Sequence, residues 1–287
     1  MKKIFTAIIV IIFSGNILSA QSWSTLGNAG TTSSNFIGTT DSKTLFFRVN
    51  NYKSGFIDYN TTTGNAAFGY GALRLNSTGN LGSAFGSQAL TNNISGFANT
   101  GIGMKSLFTN TTGSYNVALG ARTLQVSNGS YNTAAGYASL YVNTTGEKNA
   151  AYGYKTLFKN TTGIENTALG YSALYSNTIG ERNTAMGDSA LFSNTSGYKN
   201  TATGSLSLQY NTSGLFNTAT GYSSLIKNTT GDGNTASGAA AIYLNTSGSY
   251  NTATGYRALY GNISGTKNAA YGSDRHYQLC IHLQQIH

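Results

Sequence analysis

The sequence predicts an all-β protein, a β-solenoid or β-roll of 13 turns of about 17 residues with two short strands in each turn. Three observations lead there. The signature Asn-x-Ala-x-Gly, with one substitution allowed, begins at Asn65, Gly82, Asn99, Asn116, Asn132, Asn149, Asn166, Asn183, Asn200, Asn217, Asn234, Asn251 and Asn268. Every interval is 17 residues except the 16 from Asn116 to Asn132. A fixed period of this length is the mark of stacked units that cannot each bury a core alone. Second, each unit carries two glycines, Gly170 and Gly180 in the copy NTALGYSALYSNTIGER (166–182), and each would cost a helix up to about 1 kcal/mol. Third, twenty tyrosines and thirteen phenylalanines in a chain with only 9% charged residues are not the composition of a disordered protein.

The elements follow in chain order. Residues 1–20 read as a signal peptide: Lys2 and Lys3 precede the apolar run IFTAIIVIIF, which is too short to span a bilayer, and Ala20 stands at a small-residue cleavage point. Export to the extracellular space or outer cell surface is therefore expected, with a mature chain that does not span a membrane. Residues 21–64 read as an N-terminal β segment or cap. Residues 65–272 are the repeat. Residues 273–287, SDRHYQLCIHLQQIH without its last Gly neighbour, depart from it and read as a frayed tail, or as a truncated or frame-shifted reading of a longer gene.

The consensus unit is N-T-A-x-G-x-x-[AS]-L-x-x-N-T-[TS]-G-x-x, numbered here from first to seventeenth position. Its sequence places strands over the first to fourth and the eighth to eleventh positions, with turns over the fifth to seventh and the twelfth to seventeenth. The fifth and fifteenth glycines are expected to supply positive φ at corners, and the twelfth asparagine an Asx-turn. The 16-residue unit, which reads QVSNGSY where its neighbours carry N-T-T-G, places its deletion in a corner.

The ninth position is Leu73, Leu90, Leu107, Leu124, Leu140, Leu157, Leu174, Leu191, Leu208, Leu225, Ile242 and Leu259. Stacked turns would align these side chains into one buried aliphatic ladder. One leucine per turn is a thin core against the entropy of ordering seventeen residues, so self-association is expected. The tenth position supplies the candidate interface aromatics: Phe108, Tyr141, Phe158, Tyr175, Phe192, Tyr243 and Tyr260. Strand alternation from an inward ninth residue would turn this row outward.

The formal charge of +9, which loses two with Lys2 and Lys3, comes from singly scattered residues such as Arg74, Lys105, Arg122 and Lys159. Nucleic-acid binding calls for a basic stripe on one face, so this is read as a solvated surface. The one cysteine, Cys280, allows no internal disulfide. With His276, His282 and His287 it sits in the tail, without the spaced pairs of a metal site. Eight acids form no repeated pair for general acid–base work, GIGMKS (101–106) is repeat sequence rather than a phosphate loop, and G-G-x-G-x-D never occurs. The reading is of no enzyme, no cofactor and no metal.

The string N-T-A-x-G-x-x-A-L over 65–272 resembles the head repeats of trimeric autotransporter adhesins and haemagglutinins. It is also similar to repetitive exported tail-fibre-domain proteins of Bacteroidetes-type bacteria, which open with a segment like WSTLGNAGTTSSNFIGTTDSKTLFFRVNNYKSGFID (23–58). The resemblance implies a left-handed roll, assembly as a homotrimer, and an adhesive head or stalk facing an unknown extracellular ligand. A rival reading comes from the residues themselves. The second and fourth positions share a face, and Thr201/Thr203, Thr218/Thr220, Thr235/Ser237 and Thr252/Thr254 would form a threonine array on it. Spaced about 4.8 Å along the stack and about 7 Å across it, such an array suits an ice- or crystal-binding face.

Overall fold

The computed structural model describes residues 37–59, 64–273 and, for the backbone only, 281–282. The expected signal peptide and most of the tail lie outside the described residues. The repeats and their flanking strands belong to one compact unit, residues 39–287. A hairpin of β1 (Leu45–Val49) and β2 (Tyr52–Ile57) leads into β3 (Ala66–Phe68), β4 (Ser83–Phe85), β5 (Thr100–Ile102), β6 (Val117–Leu119), β7 (Val126–Ser127), β8 (Thr133–Ala135) and β9 (Val142–Asn143). The series continues with β10 (Ala150–Tyr152), β11 (Thr167–Leu169), β12 (Thr184–Met186), β13 (Thr201–Thr203), β14 (Thr218–Thr220), β15 (Thr235–Ser237), β16 (Thr252–Thr254), β17 (Asn268–Tyr271) and β18 (Ile281–His282).

One 16-stranded sheet holds all of these but β7 and β9. From β3 to β17 its strands run parallel and in register, so that Thr167 lies beside Thr184, Ala168 beside Ala185 and Leu169 beside Met186. The chain thus closes twelve full turns of a β-solenoid between thirteen copies of one short strand. β2 pairs antiparallel with β3 at the start of the stack, and β18 pairs antiparallel with β17 at its end.

The stacking extends well beyond the strands. In one pair of turns Thr167 N–H donates to Asn183 O (2.8 Å), Leu174 N–H to Ala190 O (2.9 Å), Ser176 N–H to Phe192 O (3.0 Å) and Thr178 N–H to Thr195 O (3.0 Å). Backbone groups inside a protein must find partners, and here most find them one turn along the axis. The geometry that allows this departs from the expected second strand. Positions six to eleven form a tight turn instead, with left-handed residues at the seventh and ninth positions, such as Ser172 (φ 51°) and Leu174 (φ 51°). A third left-handed residue occupies the seventeenth position, as in Glu165 (φ 57°). Each reverses the local direction of the peptide so that N–H and C=O stay parallel to the axis. Only beside the 16-residue turn do two units pair as short second strands, β7 with β9.

The two repeated glycines answer different needs. Gly170 has φ +132°, a region that L side chains avoid, and a Cβ there would stand 2.5 Å from Gly187 O of the next turn. Gly180 has no positive φ. A Cβ on it would lie 2.5 Å from Gly197 O and strike the amide of Asn177, so steric approach alone selects glycine at the fifteenth position.

Leu73, Leu90, Leu107, Leu124, Leu140, Leu157, Leu174, Leu191, Leu208, Leu225, Ile242 and Leu259 are all buried. They pack with the third-position alanines, such as Ala168, and with eighth-position residues, alanine in some turns and serine or threonine in others. The other half of the interior is polar. Asn183 Nδ2 donates to Asn166 Oδ1 of the preceding turn (3.2 Å) and to Gly197 O (2.8 Å), while Asn183 N–H also reaches Asn166 Oδ1 (3.0 Å). The twelfth-position row runs beside it: Asn194 Nδ2 donates to Asn177 Oδ1 (2.9 Å) and to the same Gly197 O (3.0 Å). The twelfth asparagine is therefore a buried amide ladder rather than the Asx-turn expected of it. Such a ladder is stable in the buried interior because the amides satisfy one another.

Candidate interaction surface

In the thirteen repeat strands the central residue, alanine except for Gly101 in β5, faces inward, so its two neighbours face out together. The outer face of the sheet is consequently a double file, second and fourth positions, running the length of the stack. No charged residue stands at either position in any of the thirteen strands. From β3 to β12 the fourth position is Phe68, Phe85, Ile102, Leu119, Ala135, Tyr152, Leu169 and Met186. Leu119 and Leu169 keep 40% and 47% of their surface exposed, which is high for a continuous apolar row. From β13 to β16 the same position becomes Thr203, Thr220, Ser237 and Thr254.

In that second stretch the register aligns Thr201, Thr218, Thr235 and Thr252 in one file and Thr203, Thr220, Ser237 and Thr254 in the other. Thr201, Thr218, Thr220, Thr235, Ser237 and Thr254 are exposed, while Thr203 and Thr252 are half-buried.

The tenth-position aromatics lie elsewhere, on the turn that follows the sheet. Phe108, Tyr141, Phe158, Tyr175, Phe192, Tyr243 and Tyr260 are half-buried rather than fully displayed: Lys105 lies over Phe108, and the others cover one another. The rings of Tyr141, Phe158, Tyr175 and Phe192 stack at 5.0–5.1 Å with planes 5–9° apart, and Tyr243 and Tyr260 do the same at 4.9 Å. A stack along the axis occupies the ring faces and leaves edges to solvent. A second file, at the sixth position, runs through Tyr137, Tyr154 and Tyr171 at 5.5 and 5.1 Å. Lys155 bridges the two files, its Nζ 5.2 Å from the Tyr154 ring and 5.6 Å from that of Phe158. The ammonium of Lys155 is raised above the ordinary lysine value, first by its hydrogen bond to Tyr154.

Charge pairs also follow the stack. Lys148, Glu165 and Arg182 succeed one another at the seventeenth position, with Arg182 Nε 2.8 Å and Lys148 Nζ 3.8 Å from the Glu165 carboxylate. Arg182, by hydrogen bond and then by charge, holds the Glu165 carboxyl below its ordinary value. Partners one turn apart, rather than the sequence neighbours Glu147–Lys148 and Glu181–Arg182, carry these pairs.

Among the described residues no group of three or more His, Cys, Asp or Glu is placed to hold a metal ion, and no helix is long and apolar enough to cross a membrane. His276, Cys280 and His287 lie outside the described residues. Compared with protein-family models, with curated proteins and with solved structures, the chain matches none of them.

Proposed function

We propose that the protein is an exported fibre segment that associates with copies of itself and presents a repetitive surface to an extracellular ligand. The observation that carries this reading is the exposed apolar row of β3–β12. A second copy of the chain has the same 17-residue rise from turn to turn, so its own row meets this one pitch for pitch with no charge to bury. Assembly as a trimer is taken from the resemblance of residues 65–272 to adhesin head repeats, and export from the composition of residues 1–20. The repeat itself specifies length and surface; its invariant letters go to the backbone stack and the interior, and none converges on a reagent.

Cysteine protection tests the association. In a Cys280→Ser background, Leu169→Cys in the full chain should resist a maleimide reagent under native conditions, while Tyr171→Cys, two residues on, should react. Equal, rapid labelling of both would remove the sheet face as the contact.

One observation favours a second reading, of an ice- or crystal-binding face. The in-register hydroxyl files of β13–β16 are open to solvent over four strands. The two readings disagree about Thr220, which a trimer packed along the whole face would cover and an ice-binding face must leave free. Thermal hysteresis in the purified protein, lost in Thr220→Tyr, would support the second reading; no hysteresis at any concentration would end it.

A further inference from the structure

Charge is divided unevenly around the turn. At the sixteenth and seventeenth positions, the corner before the sheet, four acids (Glu147, Glu165, Glu181 and Asp232) stand among four cations (Lys148, Arg182, Lys199 and Lys267). Positions six to eleven, the turn after the sheet, are different. There the third to sixth turns (residues 99–165) carry Lys105, Arg122, Lys155 and Lys159 and no acid. Asp188, two turns further on, is the only acid at these positions in the whole stack, and its carboxylate accepts from Ser189 Oγ (2.8 Å). The four cations are scattered singly along the sequence, and stacking gathers them on one side.

They are also held in place. Lys105, Arg122 and Lys155 share the seventh position, where each backbone N–H donates to the turn before, to Ser87 O (2.9 Å), Met104 O (2.8 Å) and Tyr137 O (3.0 Å). All three are half-buried. Lys105 Nζ lies 5.6 Å from the centre of the Phe108 ring and Lys159 Nζ 5.5 Å from that of Tyr175 on the next turn, as Lys155 lies over Tyr154 and Phe158. The rings support the stems without neutralising the charged heads. None of the four is ion-paired with a described acid.

We infer that this side of the stack binds a linear acidic polysaccharide laid along the axis. A row of cations with no facing acid attracts a polymer that carries negative charge at regular intervals. Turns recur about every 4.8 Å, close to the length of one sugar unit in an extended chain, so successive uronate units keep step with successive turns. The phenol groups of Tyr137, Tyr154 and Tyr171, exposed in file beside the cations, supply hydrogen bonds to the sugars. Nucleic acid fits less well, because its bases need open ring faces and here the rings cover one another. This names a ligand class for the adhesive reading and rests on that reading only for its biological setting. The basic side lies apart from the second and fourth positions, so polysaccharide binding and self-association are separate properties.

The test is calorimetric titration of the full chain with oligomannuronate, uncharged dextran and an oligothymidylate of matched charge, with light scattering on the same samples to follow association. The uronate should bind at low salt. Its binding should weaken about tenfold or more in Lys105→Gln/Arg122→Gln/Lys155→Gln, the sum of three solvent-screened contacts. Gln88 already holds the seventh position at φ 60°, so glutamine keeps the turn, and the melting curve should match the parent's. Lys159→Gln alone, at an exposed position, should weaken binding about twofold. Lys148→Gln/Lys199→Gln/Lys267→Gln removes the same charge from the other corner and should leave binding unchanged. No binding of the uronate, equal binding of dextran or of oligothymidylate, or equal losses in the two triple variants would each overturn the assignment.

Discussion

The stretch from β3 to β12 and the stretch from β13 to β16 share an interior and differ on their outer face. Ala168 and Ala219, Leu174 and Leu225, Asn166 and Asn217 are equally buried and equally bonded. Outside, Leu169 gives way to Thr220 at the same position of the same strand. Folding therefore does not dictate the outer face. The interior ladders hold the coil whichever residue stands outside.

Substitutions in the shared interior should have the largest effect. Leu174→Asp and Leu225→Asp should each unfold their neighbouring turns, with an unpaired buried charge costing several kcal/mol or more. Chemical denaturation should give losses of like size in the two stretches. A large loss in one and a small loss in the other would mean that the interiors differ after all.

The amide ladder gives the next largest effect. Asn177→Ala and Asn228→Ala each take the donor from the amide oxygen of the preceding turn, Asn160 Oδ1 or Asn211 Oδ1, and one of two donors from a glycine carbonyl, a cost of about 1–3 kcal/mol. The 16-residue turn already contains such a defect. Ser127 replaces the twelfth asparagine, and Asn110 Oδ1 is buried without a partner. Ser127→Asn should restore the donor and raise stability by about 1 kcal/mol, read as a higher denaturation midpoint at unchanged slope.

Exchange of outer-face residues, Leu169→Thr and Thr220→Leu, should alter the denaturation of the single chain little while moving the tendency to associate in opposite directions. Smallest of all is the charge file. Because Arg182 depresses the folded pKa of Glu165, the stabilisation it gives is present above the carboxyl's unfolded value and fades as pH falls through the lower folded value. Both partners are well exposed, so Glu165→Gln should shift a neutral-pH melting curve hardly at all and slightly flatten its acid limb.

Much of this was legible in the sequence. The period gave the stack, and the unvarying ninth leucine gave the buried ladder. The conformation of that leucine was hidden, because left-handed backbone in a branched apolar residue runs against local preference and is selected only by bonds to the next turn. Asn166 and Asn177 were hard to place for a related reason. Asparagine signals a turn when read alone, and only stacking at a constant register turns it into an interior partner for itself. The outward row follows from the buried alanine: once Ala168 faces in, Leu169 must face out. Counting alternation from Leu174 instead points to Tyr175, whose ring is half covered by Phe158 and Phe192.

Copies of the chain are proposed to meet through the apolar stretch of the sheet. Light scattering of the full chain across a concentration series tests it most directly. A mass of three chains is expected for the parent and of one chain for a folded Leu119→Lys/Leu169→Lys double variant, with Thr220→Lys nearer the parent. A parent that stays at the mass of one chain at every concentration, or a double variant that associates as the parent does, would contradict it.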